Sequence, residues 1–250
     1  MSSNRKTVIA GNWKMNSGIE EGVNLCKEII SNLPTTDAEI IVCPPHTHLY
    51  AVSTVLKNSS VSLGAQNVHK QEKGAFTGDV SAKMVAETGA EWVIVGHSER
   101  RQYYGETGAD IREKILMAQE SGMGAIFCVG ERIHEREAGV YLEVITRQIN
   151  EVLDKRIDFS KLIIAYEPVW SIGTGKTASP SQANEVHMHI RQCVAFLAST
   201  KISEEVRILY GGSMKPDNAE SLLTEEHVDG GLIGGASLNA TSFCGIISHA

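Results

Sequence analysis

Short apolar runs alternate along the chain with longer segments of helical periodicity. The runs are rich in β-branched residues, and several are apolar throughout instead of alternating with polar positions. This pattern is typical of parallel strands that are covered on both faces. We predict eight strands, at Val8–Gly11, Ile40–Cys43, Val61–Ala65, Trp92–Val95, Ala125–Val129, Leu162–Tyr166, Val206–Tyr210 and Gly231–Ile233.

The segments between these runs predict amphipathic helices. The clearest helix start is Ser179-Pro180-Ser181-Gln182, because Ser179 suits the cap, Pro180 suits the first helical position and Gln182 can bond back to the cap. Apolar residues recur there at helical spacing, which we interpret as core packing. Apolar stripes of this kind occur at Ile19, Val23, Cys26, Ile30 and Leu33, at Tyr141, Ile145, Ile149 and Val152, and at Val186, Ile190, Val194 and Leu197.

Alternating strands and helices predict a parallel α/β fold. An open doubly wound sheet and a closed barrel share this pattern. Eight units within 250 residues and without a long linker favour an eight-stranded parallel (β/α)8 barrel that forms a single domain over residues 1–250. In either fold, functional side chains are expected just after the carboxyl ends of the strands.

Composition narrows the class of protein without naming a function. Hydrophobic residues make up 42% of the chain and charged residues 21%, as in an ordinary folded protein with a core. The net charge of −7 and the lack of a Lys/Arg block argue against nucleic acid, although a small dianion could still bind to converging backbone N–H groups.

The cysteines and the length of the apolar runs indicate the cellular compartment in which the protein is expected. The five cysteines are scattered without a C-x-x-C pair, so the sequence suggests neither a disulfide framework nor a metal site. No apolar run is long enough to cross a bilayer, and the polar start at Met1–Lys6 does not suggest a signal peptide. We therefore expect a cytoplasmic protein with no membrane partner.

Chemically capable residues follow three of the predicted strands. Asn12 and Lys14 come after the first, His97 and Glu99 after the fourth, and Glu167 after the sixth. Residues two apart on an extended segment point to the same side, so each pair can enter one site. A lone Lys is usually a surface charge, and a lone His is usually structural. A lone buried Glu belongs to an ion pair about as often as it has a catalytic or binding function. The eight other histidines are interpreted as structural.

Glycines cluster in three places, at 173–177, at 211–213, and at 230–231 with 234–235. The first cluster, GTGKT, imitates a nucleotide-binding loop, but Trp170 stands where that motif needs its first glycine, and the helix cap comes only at Ser179. The other two follow the seventh and eighth strands, where barrel enzymes often bind phosphate through backbone N–H groups. A plain tight turn remains an alternative for each.

Several strings resemble the signature segments of the triosephosphate isomerase family, in the family's order and spacing, and the resemblance extends over essentially the whole chain. It implies a (β/α)8 TIM barrel. The strings are AGNWKMN (10–16), VGHSERR (95–101), AYEPVWSIGTGKTA (165–178), YGGS (210–213) and GGLIGGASL (230–238).

The resemblance implies roles for the candidate residues. Glu167 is similar to the family's base, which moves a proton between C1 and C2, and His97 to the neutral imidazole that shuttles a proton between the two oxygens. Lys14 resembles the cation that holds the substrate, Asn12 adds a hydrogen bond, and Glu99 resembles the acid beside Lys14. Backbone donors to the phosphate are implied at Gly173, Ser213, Gly234 and Gly235, with a lid over 168–178.

The same resemblance implies an activity and a partner. The expected reaction interconverts D-glyceraldehyde 3-phosphate and dihydroxyacetone phosphate, in glycolysis and gluconeogenesis, with no metal and no cofactor. Residues 66–79 resemble the arm that inserts into a second copy, with Thr77 near the partner subunit's Asn12, so a homodimer is expected.

Two other interpretations remain open. One is another phosphate-binding barrel enzyme, of the aldolase or phosphoribosyl isomerase type, and the other is a non-catalytic barrel used as a binding protein. Schiff-base chemistry would need a lysine held in an apolar pocket, and a binding protein would not need an intact catalytic set.

Overall fold

The eight predicted runs form eight parallel strands that close into a barrel. The computed structural model describes residues 5–172 and 177–250. Each strand begins and ends within one residue of its prediction. The strands are β1 (Val8–Asn12), β2 (Glu39–Cys43), β3 (Val61–Ala65), β4 (Trp92–Val95), β5 (Gly124–Val129), β6 (Leu162–Tyr166), β7 (Arg207–Tyr210) and β8 (Gly230–Ile233).

The strand order decides between the two predicted sheet types. Each strand pairs with the next in the sequence, and β8 returns to β1 with Val8 opposite Gly230. An open doubly wound sheet would leave two edges unpaired. The closed barrel is therefore confirmed, and all carboxyl ends of the strands meet at one face.

Helices cover the outside of the barrel between successive strands. They are α1 (Ile19–Ser31), α2 (Leu49–Leu56), α3 (Ala82–Ala86), α4 (Ser98–Tyr104), α5 (Gly108–Glu120), α6 (Ile133–Glu137), α7 (Tyr141–Val152), α8 (Pro180–Leu197), α9 (Thr200–Glu205), α10 (Pro216–Leu223) and α11 (Ala240–Ile247).

The start of α8 confirms the predicted cap. The Gln182 N–H donates to Ser179 Oγ at 3.2 Å, and the Ser179 N–H donates to Gln182 Oε1 at 2.9 Å. The two residues satisfy each other's otherwise unpaired donors. Of the predicted stripe, Val186, Ile190 and Val194 are fully buried, whereas Leu197, in the last turn, is 38% exposed.

The continuous apolar runs are explained by two separate cores. Val8 and Ala10 point into the barrel, and Ile9 between them packs under the helices. Both faces of each strand are buried, so no polar position is needed. Inside the barrel, Trp92 fills the space above Gly124, where an added Cβ would lie 2.2 Å from the indole ring.

The cysteines are free thiols, as the sequence suggested, and four of the five are buried. No helix in the described ranges is long and apolar enough to cross a membrane.

Candidate active site

One cavity of about 610 Å³ opens at the carboxyl ends of the strands. It is lined by segments that follow β1, β4, β6, β7 and β8, which the closed barrel brings to the same face. Most of the predicted site residues lie on its wall. These are Asn12, Lys14, His97, Glu167, Ser213, Gly234 and Gly235.

Two predicted residues are not among those lining the cavity. Glu99 stands behind Lys14, whose ammonium donates to it at 2.6 Å. Gly173 lies outside the residues that the structure describes.

Lys14 is held in an uncommon backbone conformation. Its φ is +54°, in the left-handed region that non-glycine residues seldom adopt. Polar contacts on both sides hold it there, since the Lys14 N–H donates to Asn12 Oδ1 at 3.1 Å and Gln66 Nε2 donates to the Lys14 carbonyl at 2.9 Å. Strain of this kind, of order 1–3 kcal/mol, persists only where the surroundings fix it. The turn aims the side chain into the cavity.

His97 caps the N-terminus of α4. Its Nδ1 accepts the Glu99 N–H at 3.2 Å, and its Nε2 lies 2.9 Å from Glu167 Oε1. An Nδ1 that accepts a hydrogen bond carries no proton, so this geometry corresponds to the neutral ring with the proton on Nε2.

The charge next to His97 opposes the effects of its burial and of the helix. Burial is the largest single effect and lowers the pKa of His97, but the carboxylates of Glu167 and, to a smaller extent, Glu99 together leave the pKa raised. The dipole at the N-terminus of α4 also disfavours the charged ring, but it does not determine the protonation state alone. Neutrality depends on where the Glu167 carboxylate points.

Glu167 is 2% exposed and bound by three donors. The Ser98 N–H donates to Oε2 at 2.9 Å, Ser98 Oγ donates to Oε1 at 3.2 Å, and His97 Nε2 donates to Oε1. Burial raises the pKa of Glu167, while His97 and Ser98 together lower it below its ordinary value. The carboxyl group is thus ionised at neutral pH despite its burial.

Two glycines fix the backbone of Glu167. A Cβ at Gly130 would lie 1.8 Å from the Glu167 carbonyl oxygen, and a Cβ at Gly211 would lie 3.0 Å from Glu167 Cγ. The strand end that carries the carboxylate is therefore clamped between β5 and β7.

The glycine clusters after β7 and β8 form the opposite wall of the cavity. A Cβ at Gly212 would lie 2.2 Å from the Tyr210 hydroxyl, whereas Gly235 faces open space. Gly234 approaches Lys14, with its Cβ position 3.7 Å from Lys14 Cε. Exposed backbone beside an ammonium group, with the N-terminus of α10 following β7, suits an anion.

The alternative of a nucleotide-binding loop is not supported by the described helix. α8 begins at Pro180 and its cap is Ser179, so the helix does not start at the Lys-Thr of the GTGKT string. A nucleotide-binding loop requires the helix to follow that Lys directly.

Sequence reasoning missed several residues that line the cavity, among them Trp13, Met214, Lys215 and Leu232. Leu232 belongs to the barrel interior and is 4% exposed, so its apolar character signalled core only. Lys215 follows the YGGS string by two positions, and that proximity was the available signal.

Comparison with known sequences identifies the family. The sequence model of the family described as triosephosphate isomerase matches residues 7–250. The chain belongs to the triosephosphate isomerase family.

Relatives of similar length share about half of the residues. A triosephosphate isomerase from Bacteroides fragilis is 49% identical over 246 residues, which cover 97% of this chain and 98% of the relative. One from Pelodictyon phaeoclathratiforme is 49% identical over 248 residues, covering 98% and 99%. One from Porphyromonas gingivalis is 48% identical over 247 residues, covering 97% and 98%.

Proposed function

We propose that this protein interconverts D-glyceraldehyde 3-phosphate and dihydroxyacetone phosphate by proton transfer through an enediolate. The observation that carries the proposal is the meeting of Lys14, His97 and Glu167 in one cavity, opposite a glycine-rich wall. Membership of the family supports it.

The proton transfers are assigned to Glu167 and His97. The Glu167 carboxylate removes a proton from the carbon beside the carbonyl and returns it to the neighbouring carbon. His97 Nε2–H donates to one substrate oxygen, and the ring takes a proton from the other. A positioned base contributes ~10²–10⁴-fold, so stabilisation of the enediolate oxygens must supply much of the remaining acceleration.

The Glu167 carboxylate lies at the cavity wall and is engaged within the protein in this structure. Its three donors come from Ser98 and His97. Rotation of the Glu167 side chain towards the substrate would break these bonds. It would also move the carboxylate charge away from His97 Nε2, which would favour the neutral ring. In this way substrate binding would prepare both groups together.

The remaining polar groups are assigned to substrate binding. Lys14 and Asn12 would hold the carbonyl and hydroxyl oxygens, with Glu99 orienting the Lys14 ammonium. Backbone N–H groups of Ser213, Gly234 and Gly235 would hold the phosphate, and Gly173 remains a prediction. The chemistry consists of proton transfers alone and uses neither metal nor cofactor.

The lid predicted over 168–178 is described only at its two ends. At one end Trp170 Nε1 donates to Glu131 Oε1 at 2.8 Å, and at the other the Ala178 N–H donates to the Tyr210 hydroxyl at 3.3 Å. These contacts tie one lid end to the segment after β5 and the other to β7. Closure over the substrate would exclude water and strengthen each electrostatic contact.

A different barrel chemistry fits these contacts less well. The Lys14 ammonium is engaged by a carboxylate instead of lying in an apolar pocket, which disfavours Schiff-base formation. A non-catalytic binding protein would have no need of a buried carboxylate held against an imidazole.

A coupled assay of triose phosphate interconversion tests the proposal. We expect turnover in the unmodified protein and a loss of ~10²–10⁴-fold in Glu167→Gln, with Glu167→Asp also impaired. Inhibition by inorganic phosphate should persist in both variants, because the phosphate wall is unchanged. Glu28→Gln, on the exposed face of α1, is the matched control. Near-normal turnover of Glu167→Gln would contradict the assignment.

We also propose that the chain acts as one catalytic domain, as a homodimer through residues 66–79, in the cytoplasm. Exposed apolar residues support the interface, because Met15 is 96%, Phe76 42% and Tyr104 71% exposed in the single chain. The arm is anchored by Lys70 Nζ, which donates to Asp110 at 2.6 Å. Specific activity should fall on dilution, and full activity in a verified monomer would argue against the dimer.

A further inference from the structure

The balance of charge around the cavity depends on Lys215. Four residues with titratable side chains lie among the described residues that line the cavity, namely Lys14, His97, Glu167 and Lys215. The distribution of charge among them determines what a dianion meets as it approaches.

Without Lys215 the described side chains around the cavity would carry a net negative charge. The Lys14 ammonium is neutralised by the Glu99 carboxylate at 2.6 Å, and the His97 ring is uncharged in the tautomer that its Nδ1 contact requires. The Glu167 carboxylate then leaves one negative charge. The whole chain, these groups included, carries a net charge of −7. A doubly charged phosphate ester would be repelled by a cavity of this sign.

Lys215 is a cation without a compensating acid in the described chain. Its backbone N–H donates to Asn218 Oδ1 at 2.7 Å, which fixes the residue at the start of α10, while its side chain is exposed. Its ammonium forms no ion pair within the described ranges, even with Asp217 two residues on. Residues 1–4 and 173–176 contain no Asp or Glu.

We propose that Lys215 is an electrostatic steering residue, which attracts the phosphate dianion to the cavity before the backbone wall binds it. The proposal rests on the proposed function and adds a role for a residue outside the catalytic set. Clefts that present a local charge opposite to the substrate raise association rates, and they do so most at low salt.

The first test compares kcat/KM for glyceraldehyde 3-phosphate in the unmodified protein and in three variants. At low ionic strength, we expect Lys215→Gln to lower kcat/KM by about 2–5-fold, as one charge acting on a dianion at ~10 Å implies, and Lys215→Glu by roughly the square of that factor. Both losses should shrink towards twofold or less at ~0.5 M salt, where screening is short-ranged.

Lys57→Gln is the matched control for net charge. Lys57 follows α2 and precedes β3, so it lies at the opposite face of the barrel, and it is exposed. This variant should retain at least ~80% of kcat/KM at every salt concentration, because distance weakens the Coulomb effect of its charge at low salt and screening removes the rest at high salt. An equal loss of kcat/KM in Lys57→Gln would mean that the effect comes from the net charge of the protein, and it would overturn the role of Lys215.

Two further measurements separate steering from a structural defect. With D-glyceraldehyde, which has no phosphate, Lys215→Gln should react as fast as the unmodified protein to within about 1.5-fold. The electric field of Lys215 attracts the phosphate charge, and this substrate carries none. Inorganic phosphate, titrated calorimetrically at low salt, should bind Lys215→Gln about 2–5-fold more weakly. An equal loss with D-glyceraldehyde would overturn the proposal.

The outcomes also separate this proposal from the function on which it rests. If the unmodified protein does not interconvert triose phosphates, the proposed function fails, and the calorimetric titration still reports on Lys215. If it does, and Lys215→Gln shows either no loss or a loss independent of salt, the function stands and steering is refuted.

Discussion

His97 and His187 are both buried, yet their surroundings move their pKa values in opposite directions. His187 lies on α8, under the helical layer, where burial lowers its pKa to about 3 and the nearby Arg191 charge adds to the effect. Its Nδ1 donates to the His227 carbonyl at 3.1 Å. The ring is therefore kept neutral by its surroundings, and it serves the packing of the outer core.

His97 at the barrel mouth experiences the same cost of burial but has a carboxylate against its Nε2. Burial lowers the pKa of His97, and the carboxylates, chiefly that of Glu167, together raise it above its ordinary value. The comparison teaches that burial of a histidine does not by itself indicate function. The useful signal is a charged partner that could move, in a cavity large enough for a substrate.

Replacing each histidine by glutamine should separate catalysis from stability. His97→Gln is expected to lose ~10²–10⁴-fold in turnover, because glutamine cannot pass a proton between two oxygens, while its unfolding free energy changes little. His187→Gln should keep most of its turnover and lose about 1–3 kcal/mol of stability through imperfect packing. Coupled assays and urea unfolding measure both, and a His97→Gln protein with near-normal turnover would break the comparison.

Acid should destabilise the protein through His187. Its pKa is about 3 when folded and 6.5 when unfolded, so between these values the unfolded chain binds more protons and stability falls as the pH is lowered. From pH 6.5 to 4.5, His187 alone should cost about 2–3 kcal/mol, at 1.36 kcal/mol per pH unit.

The control for this pH effect is His187→Gln, unfolded in urea at the same protein concentration. Its stability should fall less over the same range, by about that amount. His97 works in the opposite sense, because its raised pKa gives stability that is present below pH 6.5 and lost as the pH rises through the folded value. Parallel pH profiles for the variant and the unmodified protein would show that His187 is not buried and neutral.

Removing the carboxylate should make His97 behave like His187. In Glu167→Gln the charge that raises the pKa of His97 is gone, so burial dominates and the pKa should be lower than in the unmodified protein. NMR titration of the His97 ring without substrate measures the change, with the His187 signal as an internal reference. An unchanged or higher His97 pKa would mean that Glu167 is not the source of the shift.

Much of the fold could be predicted because the signal is local and repeated. Each apolar run, such as Ile40–Cys43, is long enough for one strand and is bounded by polar turns, so all eight were found. The cap at Ser179 depends on three neighbouring residues and was equally accessible. Closure of the barrel was favoured only by counting units, since no residue in the sequence states that β8 pairs with β1.

The candidate site was only partly predictable. Asn12, Lys14, His97 and Glu167 stood out because they follow predicted strands, where functional side chains collect in parallel α/β folds. The contact from Ser98 to Glu167 joins residues 69 positions apart, and no local pattern reveals it. Lys215 was missed because most lysines are exposed, so the sequence does not distinguish it from other surface lysines. Its position in the cavity lining is what singles it out.

The clearance at Gly130 bears on how substitutions here should be interpreted. A methyl group in that position would collide with the main chain at residue 167, so even alanine would displace the catalytic strand end. In a comprehensive mutational survey, position 130 would therefore rank with the reacting groups although it has no side chain of its own. Intolerance to substitution at such a site reflects the space that a neighbouring residue occupies. A ranking of positions by sensitivity to mutation alone would therefore count a structural glycine as a catalytic residue.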